Sequence, residues 1–595
     1  MATRRLFFGR PAALAAAATA AVLAAVFTGS SVAGEKRADA DRRTTVYVDI
    51  DAGKPTDPNN FNPYAANQRR EQGLSQVAFE PLLQLDSVSG KVLPYLAKSM
   101  VASQSGRVWV LTLRNGIRWS DGKPLTADDV IFSMRLLQTH ADLNAANKYV
   151  GVKLKRLGAL KVQMTLPQPD PRFVLKGFAS VLTSQQFFVV PKHVWASVKD
   201  PATFSNFDLR KGWPVTSGPY RLTAVTPTAF TWTRNSGWWG AKTGFGHLPA
   251  PKTIVFNALG SEETRAAALA RNDLDVGASF SIGTLQTLAV RNRSIRAWLT
   301  KSPYGYPDLC LRSLDFMTET APWNDPQLRW AVAYALNRRK LIETVFQGAT
   351  SGALTMLPDY RGLDRYVVAL QKAGVFKQYP ISTSSQAKAR QLIESRGYSL
   401  KGGIYEKDGT KLSLVLSTYQ DPGMNSLASA IAEQLRQVGI DASTNVQTIP
   451  NFVNNLLAGT FQSNVFFGAC GSTIDPWQSM NAFNPSQYVP RGTNTTGFYA
   501  NSFRWNTQTA KAYGAVVDQI GKLGMNAPAI TPLFVKAMRL FYRDLPSIPL
   551  LQYELINPVN QTYWKGWPTG DDPYIVPMFS GPAFHVVLQH LKAAK

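Results

Sequence analysis

Alternating apolar and polar positions predict the first strands of this chain. Thr44–Ile50 (TTVYVDI) alternates with a period of two, as does Val108–Arg114, and Asn115-Gly116 follows the second segment directly. A period of two places successive side chains on opposite faces of a sheet, and Asn-Gly is a strong signal for a tight hairpin turn. The two segments are therefore predicted to be half-buried strands, the second of which ends in a turn.

Helical periodicity begins soon after this turn. Thr126 precedes an apolar stripe made by Val130, Met134 and Leu137, and Asp129 stands three residues after Thr126. A threonine followed by an acid at this spacing can form a capping box, in which the two side chains bond the free backbone N–H groups of a helix start. We expect a helix that begins after Thr126.

Further along, the same signals predict two more helices. Asp325-Pro326 is typical of a cap followed by proline at the first helical position, and Ser426–Val438 has an apolar face that Gly439 closes. Strand-like segments recur at Thr253–Ala258, Leu412–Ser417 and Asn464–Phe467. Because strands are mixed with helices throughout, the predicted fold class is α/β.

The first 33 residues resemble an export signal. Arg4, Arg5 and Arg10 precede the apolar, alanine-rich run Ala12–Phe27, and small residues lead to a cleavage site after Ala33. The segment around the paired arginines also fits a twin-arginine signal. An ordinary secretory peptide and a membrane anchor are the alternatives, but alanine inserts weakly into membranes. We expect cleavage near Ala33 and a periplasmic mature protein.

Length and charge limit the classes of function. The 562 residues after position 33 are too many for one core and predict two or three domains. The formal charge of the whole chain is +25, and the lysines and arginines are scattered rather than clustered. A solvated basic surface on an exported protein explains this pattern better than nucleic-acid binding does, and no nucleic-acid motif is present.

The motifs of common enzymes are missing from the sequence. It contains neither a G-x-x-x-x-G-K-[ST] phosphate loop nor a G-x-S-x-G elbow, and its five histidines are dispersed. The acid pairs Asp128-Asp129 and Glu262-Glu263 are better explained as helix starts. We therefore predict no catalytic residues, no metal site and no cofactor, although a scattered triad would escape this search.

One long segment resembles a known family. Leu111–Met134 (LTLRNGIRWSDGKPLTADDVIFSM) closely resembles the signature of extracytoplasmic solute-binding proteins of family 5, the receptors of ABC importers for peptides, nickel and oligosaccharides. Shorter matches keep the family's order along the chain: Phe79–Leu83, Ser217–Tyr220, Asn235–Gly240, Leu274–Val276, Pro322–Asn337, Ile431–Ile440 and Ile474–Pro476. Asn337 stands where the family usually has Asp.

The resemblance implies a two-lobed periplasmic-binding-protein-like fold (type II) with a hinge between the lobes and an extra subdomain inserted in the first. The expected boundaries are 44–72, 190–298 and 550–595 for lobe I, 73–189 for the inserted subdomain and 299–549 for lobe II. It also implies a monomer that binds a small ligand in the interlobe cleft and delivers it to a membrane permease with a cytoplasmic ATPase. Since the cleft-loop cysteine is paired in some relatives, we expect a disulfide between Cys310 and Cys470, with two buried free cysteines as the alternative.

The ligand class is argued from the cleft loop. Peptide binders of the family resemble one another in a loop C-A-D-Y-x-[ED]-P, whose first aspartate holds the peptide's amino terminus. Alignment on Cys470 and Pro476 places Ser472 at that position, and a hydroxyl cannot pair with a buried ammonium. This argues against peptides, unless a slip in the alignment recruits Asp475 for the amine.

The aromatic tail argues for sugars. Residues 563–574 (YWKGWPTGDDPY) resemble the tail of the family's oligosaccharide-binding branch, and flat rings suit the C–H faces of sugars. Interlobe core or hinge packing is the alternative for each ring. The predicted ligand-binding residues are Asn60, Phe61, Asn62, Phe467, Ser472, Asp475, Trp477, Trp564 and Trp567. An oligosaccharide is therefore the expected ligand, and a peptide is the alternative. A secreted glycan hydrolase is a remote alternative function. Nickel is less expected, because these loops contain no histidine that could bind it.

Overall fold

The computed structural model describes residues 41–50, 53–65, 72–143, 149–179, 186–498 and 500–595. The predicted export signal, its cleavage site and the twin-arginine motif lie outside these residues. Within them, no helix combines the length and the apolar character needed to cross a membrane.

The first lobe is built on a four-stranded sheet that joins the start of the chain to its middle. The opening strand pairs in parallel with Thr253–Asn257, and its alternation buries Val46 and Val48. In spatial order the strands are Thr45–Asp49, Thr253–Asn257, Ala229–Arg234 and Tyr220–Val225. The strand pairs Ile295–Arg296 with Val559–Asn560 and Trp564–Lys565 with Lys592–Ala593 bring the C-terminal segment back to this lobe.

The strands between residues 97 and 165 form a separate antiparallel sheet. Its strands, in spatial order, are Ala97–Ser103, Val108–Leu113, Lys161–Thr165 and Lys153–Gly158, and the hairpin Leu83–Asp86 with Lys91–Pro94 lies beside them. The capping box forms as predicted, because Thr126 accepts a hydrogen bond from the Asp128 backbone while Asp129 accepts from the Thr126 backbone. The helix that follows is Ala127–Thr139.

The second lobe has a six-stranded mixed sheet. Its strands, in spatial order, are Ser351–Gly352, Ser547–Gln552, Cys310–Phe316, Ser463–Cys470, Ser413–Tyr419 and Asp441–Gln447. A small three-stranded sheet, Ser399–Lys401, Ile404–Lys407 and Thr410–Lys411, lies outside it. The strand that ends at Gln552 belongs wholly to the second sheet, although the predicted boundary at 549/550 falls within it.

Helices surround both sheets. Those of the first lobe and its insertion are Ala127–Thr139, Lys192–Trp195, Trp239–Thr243, Glu262–Ala270, Ile282–Arg291 and Ala583–His590, with π-helices at Leu74–Ala78 and Val174–Phe178. Those of the second lobe are Pro326–Ala335, Arg338–Phe346, Asp364–Lys372, Val375–Gln378, Gln386–Glu394, Pro422–Gln437, Ile449–Ala458, Trp477–Asn481, Gln508–Lys522 and Ile530–Asp544. Short 3-10 helices occur at Gln104–Gly106, Leu209–Lys211 and Pro485–Gln487.

The structure confirms the α/β class and shifts one predicted helix start. Asp325 caps its helix with Pro326 in the first turn, as expected. The helix predicted at Ser426 begins earlier, at Pro422, because Asp421 supplies the cap to the Met424 backbone. Side-chain periodicity alone missed this first turn.

Two large apolar cores correspond to the two lobes. One combines residues of 46–276 with residues of 559–591, and the other spans 314–551. Tyr306–Pro307 leads into the second lobe, Glu554–Leu555 leads back, and the two segments pair with each other. This strand pair is therefore the natural place for a hinge.

Candidate functional site

On one side of the second-lobe sheet, several strand ends face the first lobe, and we call this side the Arg312 edge. Arg312 lies near the start of its strand, opposite Phe467 near the end of the antiparallel neighbour, and Tyr419 ends the next strand. Tyr553 directly follows the strand Ser547–Gln552. The Arg312 strand runs antiparallel to both of its neighbours, and the strand that ends at Tyr419 runs parallel to the strand of Phe467. Four large side chains therefore meet at the side of the sheet from which the crossover Glu554–Leu555 leaves.

Arg312 is the centre of this edge. Its guanidinium carbon lies 4.2 Å from the ring centroid of Phe467 and 4.0 Å from that of Tyr553, a cation between two aromatic faces. Nη1 donates to Asp308 Oδ2 at 3.1 Å and to the Cys310 carbonyl at 2.5 Å. The residue is 5% exposed, so its charge is almost fully withdrawn from water.

Two of the three nitrogens of this guanidinium have no partner among the residues that the structure describes. Nε is enclosed and unbonded, and Nη2 donates to none of the residues that the structure describes. The hydroxyls of Tyr419 and Tyr553 also have no hydrogen-bond partner among the described residues. Burial raises the pKa of both tyrosines, while the charge of Arg312 lowers it by a smaller amount, so both phenols stay protonated and can donate.

Aromatic rings extend the edge on one side. Tyr419 lies 5.7 Å from Phe452 and 6.2 Å from Phe467, and Phe466 lies 4.4 Å from Phe467, measured between ring centroids. Beyond Tyr419 the same sheet edge opens into a groove of about 610 Å³ without a charged side chain. Its lining residues are Gln420, Asn445, Val446, Gln447, Thr448, Asn451, Asn454 and Asn455. Rings followed by neutral amides can hold an uncharged, hydroxyl-rich molecule.

The hinge carries a carboxyl group held in its neutral form. Burial, reinforced by the neighbouring Asp359 and Asp308, raises the pKa of Glu554 from 4.5 to about 8. Its Oε2 is enclosed and has no hydrogen-bond partner among the described residues. At neutral pH the crossover strand therefore carries a protonated acid beside the Arg312 edge.

A buried ion pair joins the inserted subdomain to the second lobe. Arg172 Nε and Nη2 donate to the two carboxylate oxygens of Asp475 at 2.6 and 3.0 Å, and both side chains are 2% exposed. Nη1 donates to the carbonyls of Gly521 and Leu523 at 3.0 and 2.9 Å. Every nitrogen of this guanidinium is thus bound to the opposite lobe. We name the Arg172–Asp475 pair the interlobe latch.

Trp477 lies against the latch. The ammonium of Lys176 is 4.3 Å from its ring centroid and the guanidinium carbon of Arg172 is 5.6 Å away. Its Nε1 is enclosed without a hydrogen-bond partner among the described residues. The ring therefore contacts cations of the protein itself.

The sequence profile of the bacterial extracellular solute-binding proteins, family 5, matches residues 91–490. The chain belongs to this family. Its members are substrate-binding receptors of ABC importers, and the two-lobed arrangement of this family 5 protein agrees with that assignment.

Relatives with other ligands share most of the chain. The nickel-binding periplasmic protein of Escherichia coli is 28% identical over 457 residues, which cover 74% of this chain and 78% of that protein. The glutathione-binding protein of the same organism is 24% identical over 518 residues, covering 85% and 89%. A periplasmic oligopeptide-binding protein of Thermotoga maritima superposes with a TM-score of 0.81 at 23% identity, covering 93% of this chain and all of that one. Its mannohexaose-bound form superposes with a TM-score of 0.75. These neighbours share the fold, and their different ligands leave the substrate of this family 5 protein open.

The predicted residues of the first interlobe loop are mostly internal. Phe61 is fully buried and stacks 5.5 Å from Phe207. Asn62 is fully buried, and its amide donates to the carbonyls of Pro201 and Phe204. Asn60 is partly exposed, but its side-chain oxygen accepts from the Asn62 backbone. In this conformation Phe61 and Asn62 hold the loop rather than face the cleft.

The two tail tryptophans are also internal. Trp564 has no exposed surface, and its Nε1 donates to the Thr45 carbonyl at 2.9 Å. Trp567 is 3% exposed, and its Nε1 donates to the Trp564 carbonyl at 3.0 Å. With rings enclosed and N–H groups bound within the first lobe, these residues act as core in this structure, the alternative given for them above.

The cleft loop brings its predicted residues to the lobe interface. Cys310 and Cys470 form a disulfide between adjacent strands, which ties the loop to the Arg312 strand. Ser472 is 4% exposed and accepts from the Ile474 backbone at 3.2 Å, whereas Asp475 belongs to the latch. Of the predicted set, Phe467 lies directly on the Arg312 edge.

No sequence motif pointed to Arg312, Tyr419, Tyr553 or Arg172 as residues of the site. One signal was available for Arg312, since the apolar residues of CLRSLDF indicate a buried strand, and an arginine inside a buried strand carries a charge that needs a partner. No comparable local signal identifies Arg172, whose partner is 303 residues away.

Proposed function

We propose that this family 5 protein is an exported, monomeric receptor that captures an oligosaccharide between its lobes and delivers it to the permease of an ABC importer. The observation that carries the ligand class is the edge of the second lobe, where the rings of Tyr419, Phe467 and Tyr553 lie beside the amide-lined groove, and where the two phenol hydroxyls have no partner among the described residues. Sugars need this combination, since their C–H faces stack on rings while their hydroxyls exchange hydrogen bonds.

The interlobe latch argues against binding of a peptide's amino terminus by the cleft loop. Ser472 carries no charge, and both oxygens of Asp475 accept from Arg172. An ammonium at this place would have to displace a bidentate guanidinium, which is a strong partner for a carboxylate. The mannohexaose-bound relative from Thermotoga maritima is compatible with a sugar in a cleft of this fold.

The test starts with the protein purified from its natural compartment. Mass spectrometry of whatever copurifies identifies the ligand, and thermal shift against parallel panels of oligosaccharides and short peptides measures preference, because a ligand that binds only the folded state raises the melting temperature. We expect shifts with oligosaccharides. A strong shift with peptides and none with any oligosaccharide would overturn the proposal.

Variants link the shift to the named edge. Replacing Tyr419 with alanine removes a ring and a hydroxyl, and we expect it to abolish the oligosaccharide shift. Tyr488→Phe is the matched control, because its hydroxyl bonds Glu319 at an exposed position of the same lobe. Sugar binding that survives Tyr419→Ala would keep the ligand class but remove this edge from the site.

A further inference from the structure

Arg312 differs from the other buried arginine described above in how its donors are used. Arg172 has all three nitrogens bound to protein oxygens, whereas Arg312 uses Nη1 alone among the described residues. A buried polar group without a hydrogen bond is costly, and a buried charge is more so. The free energy lost at Nε and Nη2 is recovered if an acceptor from outside the chain binds there.

The free edge has the shape of a carboxylate site. Nε–H and an Nη2–H point in nearly the same direction along one side of the guanidinium plane, and this fork matches the two oxygens of a carboxylate. Asp308 occupies Nη1, at the other end of the group. The rings of Phe467 and Tyr553 pack against the guanidinium carbon at 4.2 and 4.0 Å, and these contacts restrain the group while its Nε and Nη2 side is left for a ligand.

The acids near this edge do not carry enough free charge to repel an anionic ligand. The charges of Asp421 and Glu262 raise the pKa of Tyr553. Each of these carboxylates also accepts a hydrogen bond from a backbone N–H group, Asp421 from Met424 and Glu262 from Ser281. Glu554, with its pKa raised to about 8 by burial, is neutral at pH 7. The formal charge of +25 on the whole chain attracts anions at long range.

We propose that Arg312 binds a carboxylate of the ligand through Nε and Nη2, so that the receptor selects acidic oligosaccharides, those built with uronic acids, over neutral ones. Tyr419 and Tyr553 donate hydrogen bonds to adjacent oxygens of the same sugar unit. This inference rests on the proposed oligosaccharide function and narrows it to one substrate class.

The experiment uses full-length mature protein and chemically matched sugars. Oligomers of galacturonic, glucuronic and mannuronic acid are compared by calorimetric titration with their carboxyl-reduced counterparts, which keep the ring and lose the charge. We expect at least one acidic oligomer to bind at least about tenfold more tightly than its reduced form, in keeping with a charged hydrogen-bond pair. Arg312→Gln should weaken acidic binding roughly 10- to 100-fold and leave reduced sugars within about twofold.

Two variants and the wild-type comparison keep the outcome decisive. Lys211→Gln is the charge control. The ammonium of Lys211 also lies over a ring, 5.0 Å from the centroid of Trp213, but this side chain is 63% exposed on the first lobe. Arg312→Lys keeps the charge without the fork and should fall between wild type and Arg312→Gln. If Arg312→Gln fails to fold, the preference of the wild type for acidic over reduced sugars still decides the matter.

Each result separates the two proposals. Equal binding of acidic and reduced oligomers overturns the assignment of Arg312 and leaves the oligosaccharide function standing. A preference for acidic oligomers that Arg312→Gln does not reduce overturns the assignment of that preference to Arg312. Binding of peptides with no response to any oligosaccharide overturns both.

Discussion

The interlobe latch makes a prediction about opening of the cleft. Arg172→Met removes one charge of a pair in which both side chains are 2% exposed, and leaves Asp475 buried without its partner. Breaking a buried pair in this way costs about 3–5 kcal/mol. The penalty applies to the closed arrangement, because an open cleft lets water reach the carboxylate.

The population shift follows from this energy. At about 1.4 kcal/mol per tenfold, the closed form becomes roughly 100- to 4000-fold less favoured relative to the open form. Since only the closed form encloses ligand, the apparent affinity falls by the fraction of molecules that remain closed. We expect small-angle scattering to show a larger radius of gyration for ligand-free Arg172→Met than for wild type, and saturating ligand to restore the smaller value.

Two controls separate the latch from a general loss of charge. Arg339→Met breaks a surface pair with Glu343, whose side chains are 89% and 55% exposed, and should change nothing, because exposed pairs contribute about 0–1 kcal/mol. Arg172→Met combined with Asp475→Leu removes both charges and should regain much of the closed population, since an apolar replacement of a whole buried pair is often neutral. An unchanged radius and affinity in the single variant would refute the reasoning.

Three further outcomes follow from the structure. Burial raises the pKa of Glu554 from 4.5 to about 8, so the unfolded chain loses this proton at a lower pH than the folded protein does, and the free energy of unfolding falls as the pH rises from about 4.5 to 8. Glu554→Gln should remove up to a few kcal/mol of that loss. The measurement is the melting temperature, which should drop less between pH 5 and pH 8.5 in the variant than in the wild type. Thiol labelling of the denatured, unreduced protein should find neither Cys310 nor Cys470 free, and two labelled thiols would contradict the disulfide. Trp564→Ala and Trp567→Ala should each lower the free energy of unfolding by about 3–5 kcal/mol in chemical denaturation, because both rings are buried, and should leave the choice among ligands unchanged. A lost ligand preference without lost stability would instead assign these rings to the ligand-binding cleft.

Local signals predicted local structure well. The capping box at Thr126 and the cap at Asp325 formed as expected because they depend on residues within one helical turn. The helix start at Pro422 was missed by one turn, since the stripe of apolar residues begins later than the cap that Asp421 provides. The family and the two-lobed fold were predicted from a resemblance that ran the length of the chain.

The candidate site was harder to predict, because burial decides what an aromatic residue does. Trp564 and Trp567 occur in a motif whose rings and polar neighbours suit either a sugar platform or a core, and the sequence does not say which face of the tail meets the opening strand. Trp564 donates to Thr45, 519 residues away, and that contact removes its ring from the surface. Tyr419 and Tyr553 carry no motif and become neighbours only through the order of strands in the second sheet.

Two of the buried arginines, Arg172 and Arg312, are compensated for the loss of water in different ways. Taking a guanidinium out of water has the same cost in either place, so the compensation must be found near each one. Arg172 finds it within the chain, from a carboxylate and two carbonyls of the opposite lobe, and its contribution is to closure itself. Arg312 finds part of it in two rings and Asp308, and two of its nitrogens are left over at the edge that faces the first lobe. Donors left over do not by themselves mark a ligand residue, because Arg265 and Arg504 also have an enclosed Nε without a partner among the described residues. What supports the proposed role of Arg312 is its place at the strand ends of the second lobe, beside the rings of Phe467 and Tyr553 and two phenol hydroxyls that can donate.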